Sequence, residues 1–298
     1  MPTPAHSDSR NPEGVAPNPT RGGRSLVPSI LELVRLSPEP VFPPGGEDLY
    51  RKIALLTEAR AGQDLLDVAC GRGLPAAFLA ANYGVDVMGL DPDPTVVAEA
   101  EQQARRMGLE EHLHFQSTPL DDLPYKDDIF DITIGEIGLG GLYDPAAAVR
   151  ELARVTRPFG HVVLVQLVWT GNLEEERRDA LVERLGTRPM LLVEWKQLLR
   201  DAGCVDLHVE DWSDDSRGAR SSGGSPVLDL SQSLSLRSKV VILRRALARW
   251  GWRGVRGAIV REQEFHHLLT RRRVLGLSLI KAVKWGDPEA AADTDQEN

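Results

Sequence analysis

The chain is poor in cysteine and contains no long uninterrupted apolar run. Its two cysteines, Cys70 and Cys204, are far apart in 298 residues and fit neither a metal-ligand spacing nor a disulfide framework. No apolar run is long enough to cross a bilayer, and residues 1–24 lack the apolar core of a secretory signal. We therefore expect a protein of a reducing compartment, the cytoplasm.

The chain also has fewer basic than acidic side chains. The chain has 44 acidic against 35 basic side chains, a net charge of -9, which argues against a nucleic-acid-binding surface over the whole molecule. Residues 1–24 lack hydrophobic periodicity and residues 287–298 form an acidic tail, so both are expected to be disordered. Residues 25–286 are then expected to form a single domain.

Segments with strand character alternate with amphipathic segments of helical period up to residue 210. The strand at residues 160–168, GHVVLVQLV, is almost wholly apolar, as is typical of a strand covered on both faces. This alternation predicts an α/β fold with a doubly wound, mostly parallel sheet. The alternation stops near residue 213 and one strand follows after residue 274, so residues 213–274 are expected to be a helical insertion before the last strand.

The most informative segment is DLLDVACGRG at residues 64–73, followed by VDVMGLD at residues 85–91. It predicts a buried strand, a glycine turn, a helix and a second strand that ends in an acid, which is how an open sheet holds an adenosine-containing cofactor. GRGLPA at residues 71–76 also satisfies the nicotinamide-binding pattern, with Asp91 twenty positions after Gly71. An NAD-dependent oxidoreductase, or glycines that form only a tight turn, therefore remain alternatives.

Asp67 shifts the balance towards a cationic cofactor. A carboxylate before the glycine turn is awkward against a pyrophosphate but suits the ammonium and sulfonium charges of S-adenosylmethionine. The ordered motifs LDVACGRG, GLDPD, LPYKDDIFD and RELARVTRPFG resemble those of the class I S-adenosylmethionine-dependent methyltransferases, in particular the small-molecule branch that includes the quinone-biosynthesis methyltransferases. The resemblance covers residues 49–212.

This resemblance implies a Rossmann-like sheet of seven strands and S-adenosylmethionine as the methyl donor. It implies that the glycine turn lines the methionine part, that Asp91 binds the ribose and that residues 117–120 touch the adenine. The family usually carries an acid in that adenine loop, where this chain has only hydroxyls, with Asp121 and Asp122 slightly later. The expected cofactor-binding residues are Asp67, Ala69, Gly71, Gly73, Asp91, Pro92, Thr118, Leu120 and Tyr50.

Methyl transfer from a sulfonium requires alignment, desolvation and sometimes removal of a proton, so neither a catalytic triad nor a metal is expected. The loop after the fourth strand, IGEIGLGG at residues 134–141, lacks the Asn/Asp-Pro-Pro-aromatic motif of enzymes that methylate nucleobase amines. Glu136 in this loop is a candidate general base, or a group that orients an amine or hydroxyl. The alternative is a carboxylate that caps the loop or pairs with an arginine.

Two further side chains are candidates. His266 has a suitable pKa for taking a proton near neutral pH, but His266 and His267 would point about 100° apart on a helix and do not easily chelate one metal. Tyr50 lies where a helix often covers the cofactor carboxylate, and its alternative role is core packing.

The segment 237–273 holds eleven basic and two acidic side chains, a net charge of +9 in an acidic chain. It is interpreted as a lid on the substrate pocket, as an element that docks on an anionic membrane or presents an amphiphilic lipid, or as a contact to RNA phosphates or an acidic partner. A solvated face that neutralises the acidic body is the simplest alternative. Gly251, Gly254 and Gly257 interrupt helix propensity and favour a hinged cover.

The sequence therefore predicts methyl transfer from S-adenosylmethionine to a small, partly apolar molecule covered by residues 213–274. A non-catalytic S-adenosylmethionine-binding or interaction module is the alternative from another class, and an NAD-dependent oxidoreductase ranks third. We expect no nucleic-acid partner.

Overall fold

The computed structural model describes residues 32, 36–38, 40–142, 144–171, 174–213, 240–256 and 274–286. The tails predicted at 1–24 and 287–298, and most of the predicted insertion at 213–274, lie outside the described residues. In chain order the elements are α1 (Gly46–Leu56), β1 (Asp64–Val68), α2 (Leu74–Tyr83), β2 (Asp86–Asp91), α3 (Pro94–Met107), β3 (Leu113–Ser117), β4 (Phe130–Gly135), α4 (Leu139–Leu142), α5 (Pro145–Val155), β5 (Thr156–Trp169), α6 (Glu175–Leu185), β6 (Met190–Leu191), α7 (Leu192–Asp201), β7 (Cys204–Asp211) and β8 (Leu275–Lys284).

The strands form one sheet in the order β3-β2-β1-β4-β5-β8-β7. Strands β1 to β5 are parallel, and β8 runs antiparallel between β5 and β7. The predicted α/β class with a doubly wound, mostly parallel sheet is confirmed. An eighth strand, the two-residue β6, pairs in parallel with Val168 and Trp169 at the carboxyl end of β5. The chain order reverses between β1 and β4, and such a switch point opens a crevice at the carboxyl ends of the strands.

The core consists of two apolar layers, one on each face of the sheet. Neighbouring strand residues alternate between them: Leu65 and Val163 pack in one layer, and Leu66 and Leu164 pack in the other. Helices α1 to α3 cover the first layer, and α5 and α7 cover the second. A strand buried on both faces needs apolar residues at every position, which explains the continuous apolar run of β5.

Aspartate–proline pairs define the starts of α3 and α5. Asp93 accepts a hydrogen bond from the amide of Thr95, and Asp144 accepts one from Ala146, while a proline occupies the first helical position in each case. These side chains satisfy amides that have no partner within the helix, and proline lacks an amide to satisfy. The two Asp–Pro pairs therefore fix the first residues of α3 and α5.

Hydrogen bonds join two of the motifs that carry the family resemblance. The Arg154 guanidinium donates to the carbonyl oxygens of Leu123 (3.1 Å) and Tyr125 (2.8 Å) and to the carboxylate of Asp127 (2.8 Å). Glu151 accepts from Arg154 at 2.6 Å and from the amide of Leu123 at 2.8 Å. The RELARVTRPFG motif thus holds the LPYKDDIFD loop that leads into β4, which is a structural role.

Residues 240–256 are helical and lie between β7 and β8 in the chain; we name them the arginine helix. Gly251 has a φ of 67°, so the helix is bent there. Within the described parts of the chain, no helix combines the length and the apolar character needed to span a membrane.

A close approach of β2 and β3 predicts the effect of one substitution. A Cβ on Gly89 would overlap the ring of Phe115 and lie 3.0 Å from the sulfur of Cys70. We expect Gly89→Ala to lower the free energy of unfolding by about 1–3 kcal/mol, the usual cost of overpacking, as measured by urea denaturation. In a Phe115→Leu background the same change should cost less, and an equal cost in both backgrounds would contradict the overlap.

Candidate cofactor and active site

Three carboxylates meet at the switch point of the sheet. Asp67 lies in β1, Asp91 is the last residue of β2, and Glu136 follows β4. The amide of Glu136 donates to the carbonyl oxygen of Val68 at 2.9 Å, which places the loop after β4 directly beside the glycine turn. The carboxyl ends of parallel strands share one edge of the sheet, so the fold brings together residues from three separate motifs.

The backbone of the glycine turn takes the left-handed conformation at three positions. Ala69, Gly71 and Gly73 have φ values of 63°, 56° and 70°, a region that costs residues other than glycine about 1–2 kcal/mol. A Cβ on Gly73 would overlap Phe115, whereas one on Gly71 would meet no atom within 4 Å. Gly73 is therefore required by packing and by conformation, while Gly71 borders open space in which a ligand can approach the backbone.

Asp67 is buried without a partner. Its side chain is 1% exposed, and neither carboxylate oxygen accepts a hydrogen bond from any described residue. Burial raises the pKa of Asp67 well above its usual range, and the nearby charges of Glu136 and Asp91 raise it further. An isolated carboxylate in this position is costly, so a cationic ligand would stabilise it.

Backbone amides orient Asp91 in the same crevice. Its Oδ2 accepts from the amide of Gly71 at 3.1 Å, and its Oδ1 accepts from the amide of Asp93 at 3.0 Å. The carbonyl oxygen of Pro92 accepts from the Ser117 hydroxyl at 3.2 Å, which links the ends of β2 and β3. The predicted ribose-binding acid is therefore held at the end of its strand by bonds that fix its direction.

The predicted adenine loop follows β3 on this edge of the sheet. Leu120 is fully buried in the core layer that contains α5, and Thr118 is half-buried. Asp121 and Asp122, the nearest acids in the sequence, are exposed. The loop therefore offers an apolar side chain and a hydroxyl near the site.

Glu136 and Tyr50 form a buried pair. The Tyr50 hydroxyl donates to Oε1 of Glu136 at 2.8 Å, and Oε2 has no partner among the described residues. Burial raises the pKa of Glu136 to about 7, and the hydrogen bond from Tyr50 lowers it. The partner of Glu136 is therefore a tyrosine hydroxyl, not the arginine considered as an alternative.

Tyr50 packs in the core, which was the alternative role for it, and its hydroxyl also reaches the edge of the sheet where the carboxylates meet. Its ring is completely buried, with its centroid 5.8 Å from that of Phe42, and its hydroxyl donates to Glu136. Burial and the charge of Glu136 raise the pKa of Tyr50 well above its usual range. The tyrosine thus stays protonated and donates to Glu136 at neutral pH.

Gln166 is a buried side chain at the candidate site that the sequence patterns did not indicate. Its Nε2 donates to the carbonyl oxygens of Gly135 at 2.9 Å and Glu136 at 2.8 Å, and the side chain is 2% exposed. The one available signal was a single amide in the apolar run of β5. The same loop is braced by the Thr187 hydroxyl, which donates to the carbonyl oxygen of Ile137 at 3.1 Å.

An N-terminal segment crosses the glycine turn. Arg72 donates to the carbonyl oxygen of Ser37 at 2.8 Å and pairs with Glu99 at 2.8 Å. Arg245 of the arginine helix donates to the carbonyl oxygen of Leu36 at 3.0 Å. The arginine helix is therefore connected to the glycine turn through residues 36–38. His266, the second catalytic candidate, lies outside the described residues.

The raised pKa of Glu136 predicts a pH-dependent stability. Because its folded pKa of about 7 exceeds the ordinary glutamate value of 4.5, the folded chain binds a proton that the unfolded chain has lost, and stability falls as pH rises between these values. We expect Glu136→Gln to raise the free energy of unfolding at pH 8 by about 2–3 kcal/mol, and to change it little at pH 4.

Urea denaturation of the ligand-free protein at the two pH values measures this effect. Glu110→Gln, at an exposed position, is the control and should be neutral within about 0.5 kcal/mol at both. A Glu136→Gln protein that is no more stable than the parent at pH 8 would contradict the assigned pKa.

Comparisons with known proteins agree with the geometry. Residues 66–164 match the family model of a methyltransferase domain. The chain is 32% identical over 176 residues to methyltransferase GfsG of Streptomyces halstedii, a match that covers 57% of this chain and 62% of the relative. The chain therefore covers less than two thirds of the length of that curated relative.

Solved structures share the fold at lower identity. The [4+2]-cyclase SpnF has a TM-score of 0.63 at 23% identity, over 81% of this chain and 82% of that chain. Phosphoethanolamine N-methyltransferase 2 of Haemonchus contortus, in complex with phosphomonomethylethanolamine and S-adenosylhomocysteine, has a TM-score of 0.64 at 17% identity, over 83% and 55% of the two chains. The chain is therefore similar to class I S-adenosylmethionine-dependent methyltransferases, in sequence over the matched domain at residues 66–164 and in the fold of its sheet.

Proposed function

We propose that this protein transfers the methyl group of S-adenosylmethionine to a small, partly apolar molecule whose acceptor atom lies beside Glu136. The observation that carries the proposal is the set of three buried carboxylates at the switch point, of which Asp67 has no hydrogen-bond partner among the described residues. The Haemonchus relative, which was solved with S-adenosylhomocysteine, supports the same class of ligand.

The charges of the site suit this donor. S-adenosylmethionine carries an ammonium and a sulfonium against one carboxylate, so it brings net positive charge to Asp67 and Glu136. A nicotinamide dinucleotide would instead bring a pyrophosphate to an edge already occupied by buried acids, and like charges repel strongly where water is excluded. The open space at Gly71 and the oriented carboxylate of Asp91 suit an adenosine group with free ribose hydroxyls.

Glu136 supplies the proton chemistry. A hydroxyl or amine that gains a methyl group must lose a proton, and a base works best when its pKa lies near the working pH. In this proposal the acceptor heteroatom bonds to the methyl carbon, the electron pair of the carbon–sulfur bond goes to sulfur, and Glu136 takes the acceptor's proton. Tyr50 holds one carboxylate oxygen, which leaves Oε2 to face the acceptor.

Residues 213–274 are proposed to cover the acceptor. Support comes from the Arg245 contact to Leu36 and the Arg72 contact to Ser37, which connect the described part of this segment to the glycine turn. A cover excludes water from the transfer step and strengthens the electrostatic interactions in the site.

The second candidate function is a [4+2] cyclisation, and a structural similarity supports it. The fold is shared with a protein described as a [4+2]-cyclase, so the architecture also accommodates an activity other than methyl transfer. Binding of S-adenosylhomocysteine without methyl transfer to any metabolite pool would favour this candidate or a non-catalytic binding module.

Calorimetric titration tests whether the site binds the proposed methyl donor, with S-adenosylhomocysteine as the probe. We expect S-adenosylhomocysteine to bind and NAD⁺ not to bind. Asp91→Ala should weaken S-adenosylhomocysteine binding by about 10- to 100-fold, since charge-assisted hydrogen bonds contribute about 1.5–3 kcal/mol each. Asp93→Ala on the same turn removes only a helix cap and should leave the affinity unchanged. Binding of NAD⁺ in place of S-adenosylhomocysteine would refute the proposal.

Isotope transfer from methyl-labelled S-adenosylmethionine into small-molecule pools tests the base. We expect Glu136→Gln to bind S-adenosylhomocysteine within about threefold of the parent, yet to transfer the label about 10²- to 10⁴-fold more slowly. Tyr50→Phe removes a hydrogen bond that lowers the pKa of Glu136, so the acidic limb of its pH profile should move to higher pH. Full activity of Glu136→Gln would show that Glu136 takes no proton.

A further inference from the structure

The arginine helix has a composition unlike the rest of the molecule. Its sequence, VVILRRALARWGWRGVR, contains five arginines, two tryptophans and no acid. The chain as a whole carries -9, so positive charge is concentrated in this helix. A helix that combines arginines with aromatic and aliphatic side chains is typical of elements that lie in a membrane interface.

Three of its large apolar side chains face outwards, while most of the others are half-buried. Val240 is 57% exposed, Leu243 40% and Trp252 68%, whereas Ala246 and Val255 are buried. The five arginines are also exposed. The helix thus presents apolar and cationic groups together to solvent.

The arginines are not neutralised within the described parts of the chain, where no carboxylate lies within ion-pair distance of them. Arg245 donates to a carbonyl oxygen, and the Arg249 guanidinium lies over the ring of Trp250, 4.8 Å from its centroid. Their charge is therefore available to an anionic surface outside the molecule.

The exposed apolar side chains of the helix indicate which kind of anionic partner fits it. An RNA backbone or an acidic peptide would use the arginines but would leave Val240 and Leu243 in water. A bilayer with anionic headgroups accommodates both, because aliphatic and indole groups enter the headgroup region while guanidinium groups stay at the phosphates.

We propose that the arginine helix docks the protein on an anionic lipid bilayer, with Trp252, Leu243 and Val240 inserted and the arginines at the headgroups. Through Arg245, residues 36–38 and Arg72, this surface is connected to the glycine turn. Docking therefore places the active-site edge of the sheet near the membrane, where an apolar substrate would be concentrated. The docking does not depend on methyl transfer, so the two proposals can fail separately.

Flotation of the full chain with vesicles tests the docking. We expect binding to vesicles of three parts phosphatidylcholine to one part phosphatidylglycerol, little binding to pure phosphatidylcholine vesicles, and weaker binding as salt is raised. Trp252→Ala should reduce binding by about fivefold or more. Trp285→Ala is the matched control: Trp285 is 60% exposed, and its amide donates to Gly203 at the other end of β8, away from the site.

Tryptophan fluorescence in vesicles that carry brominated acyl chains gives a second measurement. Quenching should occur in the parent and in Trp285→Ala and should be reduced in Trp252→Ala, while circular dichroism and S-adenosylhomocysteine affinity stay unchanged in all three. Absence of flotation with the anionic vesicles would overturn the proposal. So would binding to RNA or polyglutamate at least as tight as to vesicles, with no loss in Trp252→Ala, because the contact would then be electrostatic only.

Discussion

The site depends on carboxylates that are buried with no cationic side chain paired to Asp67 or Glu136 among the described residues. Asp67 has no hydrogen-bond partner among the described residues, and Glu136 has one, the neutral hydroxyl of Tyr50. Burial of acids in this way raises their pKa and lowers the stability of the empty fold. A site that is unfavourable when empty gains more from a cationic ligand, and such a loss of stability is common where function requires it.

The hydrogen bonds around the site act on backbone groups and so control position, not charge. Gln166 binds two carbonyl oxygens of the loop that carries Glu136, and Thr187 binds a third. Asp91 receives the amides of Gly71 and Asp93. Reacting groups must be held to within fractions of an ångström for in-line transfer, and a loop fixed by buried amide and hydroxyl groups meets that requirement better than one held by packing alone.

Local patterns made much of the fold predictable, and contacts between distant residues did not follow from them. The alternation of apolar strands with amphipathic segments predicted the α/β class, and the parallel topology brings Asp67, Asp91 and Glu136 to one edge. The Tyr50–Glu136 bond joins residues 86 positions apart, and no periodicity encodes it. Helix α6, EERRDALVERL, was missed because charge obscures its short apolar stripe.

The uneven charge of the molecule bears on how it would meet a membrane. An acidic body is repelled by an anionic bilayer, so only an approach with the arginine helix foremost is favourable. Screening limits these forces to about 8 Å at physiological salt, so the helix acts at close range while the acids of the body lie farther from the lipid. The exposed Trp252 and Leu243 then enter the headgroup region, and the contact through Arg245 holds residues 36–38 beside the docked surface. In the proposed docking, the uneven charge distribution would therefore also determine which edge of the sheet faces the lipid.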